Sequence, residues 1–81
     1  MKDGGTDALE AALGKQIRIE LLERDMTQQD LADAMGMERA TMSRYMRGHR
    51  SMTLRTYSKL ADTLGVPPDQ LMARAMRRVE A

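Results

Sequence analysis

Three glycines, Gly36, Gly48 and Gly65, each stand where an apolar, helix-spaced pattern stops, so no long helix fits between Thr27 and Gly65. Helices of two or three turns are not stable alone, so the segments between these glycines must pack on one another and on whatever flanks them. Only a small all-helical domain meets that demand. No strand-like alternation and no internal repeat competes with it.

The first segment is "TQQDLADAMG". Thr27 is a good N-cap, and Asp30, three residues on, makes a capping box with Asp in place of Glu or Gln. Leu31, Ala32 and Met35 form its apolar face and Gly36 its left-handed stop. Met37 then leads into a helix over about Arg39 to Arg47, with Met42, Tyr45 and Met46 as apolar positions and Gly48 as terminator. Thr53 caps a fourth helix with Leu54, Tyr57, Leu60, Ala61 and Leu64 inward. Val66 and "PPD" open a fifth, whose stripe is Leu71, Met72, Ala75, Met76 and Val79.

Upstream, Leu9, Leu13, Ile17 and Leu21 repeat every four residues, with Leu22 beside them, and define a first helix ending near Arg24. Glu10, Lys15, Arg18, Glu20, Glu23 and Arg24 read as its solvent side. Thr6 or Asp7 caps it. Gly14 weakens it locally and suggests a later true start. Residues 1–6 read as a flexible tail, residues 7–72 as the domain, and residues 73–81 as a C-terminal helix extension.

Composition narrows the function. There is no cysteine, the apolar runs are too short for a membrane span, and "MKDGGTDALEAALG" lacks a signal-peptide core, so a cytoplasmic location is expected. The nine methionines read as core filling in a chain with no Phe or Trp, rather than as a promiscuous binding surface. With only Tyr45 and Tyr57, single-strand stacking platforms are not expected. His49, the single histidine, has no partner ligands for a metal, and Asp30 and Asp33 read as surface charge. No nucleophile and base, and no phosphate-cradling glycine loop, stand out. The chain is expected to be no enzyme, to carry no cofactor, and to bind no small-molecule ligand.

Net charge is +1, but it is unevenly spread. Residues 1–38 hold four Lys/Arg against nine acids; residues 39–81 hold nine Lys/Arg against Asp62, Asp69 and Glu80. Either the two halves interleave in space and cancel, or one face is built for a polyanion. A membrane-surface role for "RATMSRYMR" fits poorly, because Gly36 and Gly48 confine it to about three turns and the core claims Met42 and Tyr45.

The stretch Gln28 to Arg47 has the parts of a helix-turn-helix: a small Ala32 at the helix crossing, Gly36 at the sharp turn, Met37 plugging that turn, and buried faces on both helices. "MTQQDLADAMGMERATMSRYMRGHRSMTLRTYSKLADTLGVPPDQL", Met26 to Leu71, resembles the Cro/cI-type (XRE) helix-turn-helix family. The likeness extends back to about Lys15 and covers some two-thirds of the chain. It implies a five-helix, lambda-repressor-like DNA-binding domain and a double-stranded DNA partner.

By the same resemblance, the second motif helix enters the major groove. Arg39, Ala40, Thr41 and Arg44 are then the base readers; Gln28, Ser43, Arg47, His49, Arg50 and Thr53 contact the backbone. Arg18 could reach the backbone, although a solvated arginine is the simpler reading. A repressor of this kind works as a homodimer on a two-fold symmetric operator, with half-sites ~34 Å apart. Leu71, Met72, Ala75, Met76 and Val79 are the expected dimer contact. The same fold also serves antitoxins that bind a partner toxin and their own promoter. Three positions depart from the family: Glu38 replaces a small hydroxyl cap, Met46 a frequent Glu, and Met52 a common proline. Glu38 either favours the helix dipole, repels phosphate, or accepts from cytosine N4.

Overall fold

The computed structural model describes residues 4–80. Five helices follow in order: α1 (Gly4–Glu23), α2 (Gln28–Met35), α3 (Arg39–Met46), α4 (Leu54–Leu64) and α5 (Pro68–Glu80). No strand occurs among the described residues. The all-α reading stands.

The helix ends have local causes. Thr27 accepts from the Asp30 amide at 3.0 Å while the Asp30 carboxylate accepts from the Thr27 amide at 2.9 Å, so the capping box is complete. Hydrogen bonds to the carboxylate from Thr27, its backbone amide first and its hydroxyl second, hold the Asp30 carboxyl below its ordinary range. Thr53 caps α4 through the Thr56 amide at 3.1 Å. Pro68 opens α5 where a missing N–H costs nothing, and Pro67 O accepts from Leu71 N. Asp25 ends α1 with φ 53, a left-handed conformation, while Met26 N donates back to Leu21 O at 2.9 Å.

The core is one cluster drawn from all five helices, centred on Ile17, Leu31, Met42, Leu60 and Leu71. α1 is its axis, packed along α5 on one side and across α3 on the other.

That central position overturns several expectations. α1 begins at Gly4, ahead of the expected cap at Thr6 or Asp7. Of the expected tail, residues 1–3 lie outside the described residues. A helix flanked on two sides buries more than one ridge, so Gln16 and Glu20 join Leu13, Ile17 and Leu21 inside. Glu20, expected in solvent, is fully buried. Its carboxylate accepts from Arg24 at 2.7 Å, Arg74 at 2.8 Å and Gln16 at 2.7 Å, and Arg78 donates to Gln16 at 2.7 Å. Burial by itself raises the Glu20 carboxyl, but the hydrogen bonds from Arg74, Gln16 and Arg24 outweigh it and hold the group below the ordinary carboxylate range.

Gly14 marks no late start. A Cβ there would lie 1.9 Å from the Met46 carbonyl oxygen, so its lack of a side chain is what lets α3 cross α1. Leu54, expected inward, is 87% exposed at the first turn of α4, and Leu22 is 78% exposed beside the α1 ridge. The expected dimer stripe on α5 also divides. Leu71 and Ala75 are fully buried in the core and Met72 packs against it, because α5 needs them to hold α1. Met76 and Val79 remain outside.

Candidate nucleic-acid interface

α2, the Gly36 turn and α3 form a helix-turn-helix. Gly36 adopts φ 68 and its amide closes α2 on Asp33 O, while Met37 N donates to Ala32 O at 3.0 Å. Ala32 is wholly buried, and Met37 is half-buried against the core beneath the turn. Met42, Tyr45 and Met46 anchor the inner side of α3. Met46, where the family often carries Glu, is an apolar member of the core.

With those three side chains inward, the opposite side of α3 is presented to solvent. Arg39, Ala40 and Arg44 are exposed, and Thr41 and Ser43 are half-buried. Glu38 occupies the N-cap with φ −72 and ψ 149, and makes no side-chain capping bond. Its backbone oxygen accepts from Met42 N at 3.1 Å, so only its charge acts on the helix N-terminus.

Arg39, Ala40, Ser43 and Arg47 run along one side of α3 and form a wall of an open groove of about 450 Å³. Gln28, at the start of α2, and Arg18, on α1, complete it. Among the described residues no ion pair engages Arg18, Arg39, Arg44 or Arg47. Three guanidiniums and two neutral hydrogen-bonding side chains thus face one concavity. Such a set suits a phosphodiester, which offers paired acceptor oxygens to planar guanidiniums.

The other expected backbone residues are placed differently. The Arg50 guanidinium lies 5.5 Å from the centre of the Tyr45 ring, an arrangement that holds it beside the C-terminal end of α3. His49 is exposed, with its amide on Arg44 O at 2.9 Å. Thr53 does not join the groove. Its hydroxyl caps α4, and it borders a separate apolar hollow with Leu9, Met52, Leu54 and Met72. The sequence left Arg18 between a solvated arginine and a backbone contact, and periodicity gave no sign that Gly14 is what brings α1 close. The one available signal was Gly14 itself, since a glycine inside a helical pattern often marks a close approach.

Residues 15–71 match the helix-turn-helix family. The chain belongs to that family, in its Cro/cI-type (XRE) form. It is 32% identical over 65 residues to the cryptic phage CTXphi transcriptional repressor RstR of Vibrio cholerae, a match covering 80% of this chain and 59% of that repressor. The chain therefore spans about three-fifths of that relative's length. Two solved structures share the fold. One is the clp gene regulator ClgR from C. glutamicum, with TM-score 0.79, 22% identity, and 85% of this chain against 90% of that one. The other is the restriction-modification controller protein C.AhdI from Aeromonas hydrophila, with TM-score 0.71, 28% identity, and coverage of 75% and 92%. No helix among the described residues is long and apolar enough to cross a membrane.

Proposed function

We propose that this chain is a transcriptional regulator, most simply a repressor, that binds double-stranded DNA sequence-specifically with α3 in the major groove. The observation that carries this reading is the arginine-lined groove of Arg39, Ala40, Ser43, Arg47 and Gln28 on a helix-turn-helix scaffold. The likeness to a phage transcriptional repressor supports it. Arg39, Ala40, Thr41 and Arg44 read base edges, an arginine pairing in bidentate fashion with guanine O6 and N7. Gln28, Ser43, Arg47, His49 and Arg50 hold phosphates, with the amides at the Thr53-capped end of α4 beside them.

One unit of this size reads few base pairs. The working form is a homodimer on a two-fold operator in the cytoplasm, and the exposed Met76 and Val79 of α5 are the part of the expected contact still available for it. Selection of bound sequences from a random duplex pool tests the reading directly. An enriched inverted repeat with half-sites about one helical turn apart is the expected result. Recovery of unenriched DNA refutes sequence-specific reading, and a single unrepeated half-site refutes the dimer.

A further inference from the structure

The family match begins at residue 15, and the part of α1 before it packs on the loop that follows α3. We propose that this part of α1 braces the loop for DNA binding, with Glu10 as a positioning residue that holds the His49–Arg50 segment in place for phosphates. The inference rests on the DNA-binding reading above and deepens it.

The loop between α3 and α4 meets α1 at two points. Gly48 opens it with φ 75, and a Cβ there would lie 3.3 Å from the Ala11 amide nitrogen and 3.5 Å from the Glu10 carbonyl carbon, so the two backbones are in contact. Ser51, three residues on, donates its hydroxyl to the Glu10 carboxylate. A carboxylate can only accept, which fixes the direction of this bond and makes it charge-assisted. His49 and Arg50 are the two residues between these anchors, and both are exposed. The His49 amide is tied to Arg44 O, and the Arg50 guanidinium stands over the Tyr45 ring. Pinned at both ends, the segment has little freedom left to lose when it meets a duplex. Met52 continues the contact, since it packs against the core and lines an apolar hollow with Leu9 and Leu13.

Charge sharpens the inference. On the solvent side of α1, Glu10 would only add a negative charge near an edge that binds phosphates, and such a charge lowers affinity for a polyanion. Its side chain is instead half-buried and turned to Ser51. The two roles have opposite signs: losing a brace weakens binding, whereas losing a repulsive charge strengthens it.

The test measures binding by fluorescence anisotropy of the selected duplex and a scrambled duplex, from 50 to 200 mM salt. It is done at 10 °C, with circular dichroism to confirm that each protein is folded. The proteins are wild type, Glu10→Gln, Glu10→Ala, Ser51→Ala and the double variant Glu10→Ala/Ser51→Ala. Ser51 is exposed, so its variant carries the test even where Glu10→Ala is unstable. Glu10→Ala and Ser51→Ala should each weaken both duplexes by the same factor, about 3- to 10-fold, the range of one net hydrogen bond. Their log–log salt slopes should fall by at most about 0.9, the share of one phosphate contact. The double variant should be no weaker than either single one, because the same bond is lost in all three. Glu10→Gln keeps an acceptor for Ser51 without the charge and should bind at least as tightly as wild type. Tighter binding of both duplexes by Glu10→Ala overturns the proposal, since it makes Glu10 a bare repulsive charge. Unchanged affinity, an unchanged salt slope, additive losses in the double variant, a loss confined to the selected duplex, or Glu10→Gln as weak as Glu10→Ala each overturns it as well. All of these leave wild-type binding intact; wild type binding neither duplex refutes the DNA-binding reading itself, and this proposal falls with it.

Discussion

Replacing Gly14 with alanine sets two effects of known sign against each other. In an ordinary helix interior the change is favourable by about 1 kcal/mol, because alanine has the better propensity. Here the new Cβ meets Met46 at 1.9 Å from its carbonyl oxygen, 2.7 Å from its carbonyl carbon and 3.2 Å from its Cα. All three are backbone atoms, so no rotamer change relieves the clash. α1 and α3 must separate by roughly 1 Å, in a core whose packing tolerates little more than a methyl group of change. Overpacking of this kind costs about 1–3 kcal/mol, and a backbone-to-backbone clash belongs at the upper end. The net expectation is a loss of about 2 kcal/mol, or roughly 8–16 °C in melting temperature for a domain of this size.

The same displacement reaches the interface without touching a DNA-facing group. Met46 ends α3, so pushing it outward tilts the helix that carries Arg39 and Arg44 and pulls Arg18 away from Ser43 and Arg47. Gly14→Ala should therefore also bind the selected duplex more weakly at a temperature where it is fully folded. Thermal melting with anisotropy at 10 °C measures both. A variant that melts higher than wild type, as helix propensity alone predicts, refutes the close crossing as the reason for this glycine.

Arg44→Ala should relax base preference at one operator position, whereas Arg50→Ala should weaken selected and scrambled duplexes alike and flatten the salt dependence; equal losses on both duplexes for both variants refute the division. Glu20→Gln should lower stability at pH 7 by about 2 kcal/mol, less than for a fully buried pair, because the Arg24 and Arg74 side chains keep 30% and 38% exposure and can turn to water. Since folding lowers the Glu20 pKa, its contribution is complete above the ordinary carboxylate value of 4.5 and fades as pH falls through the lower folded value. Urea melts from pH 7 to pH 2 should show the gap between wild type and Glu20→Gln narrowing at the acid end, and a constant gap refutes the assignment. Asp25→Gly should raise stability by about 0.5–1 kcal/mol in the same melts, because glycine takes the left-handed conformation without a Cβ penalty; no gain means the Asp25 side chain has a compensating role.

What the sequence made legible was whatever depends on neighbours within one turn. Caps at Thr27 and Thr53, stops at Gly36 and Gly65, and the inward set Met42, Tyr45 and Met46 are local patterns, and each stands in the structure as expected. The misses share one physical cause. Periodicity gives the direction of a helix's apolar ridge but not how many neighbours the helix has. α1 has neighbours on two sides, so Glu20 went inside with Arg74 supplied from α5, fifty-four residues away. α4 begins at the surface, so Leu54 stayed out although it fits the inward spacing. On α5 the core claimed Leu71 and Ala75, which a count of apolar residues treated as surplus.

The candidate site follows the same division. Every groove residue contributed by the motif was legible, because the helix-turn-helix fixes their relative positions within twenty residues of sequence. Arg18 was legible only as one of two readings, because its place depends on how α1 crosses α3, and that crossing depends on a glycine whose only sequence signature looks like a defect. A solvated arginine on a helix and an arginine aimed into a groove are identical in sequence. They differ in what the opposite wall carries, and here it carries Arg39 and Arg47. Glu38 completes the contrast. It neither caps α3 through its side chain nor forms an ion pair with another described residue, so its exposed carboxylate stands free at the start of α3. If it accepts from cytosine N4, Glu38→Ala should lose preference for one cytosine in the selected site. If it only repels phosphate, the same variant should bind every duplex more tightly and keep the site unchanged, and the selection experiment separates these two outcomes.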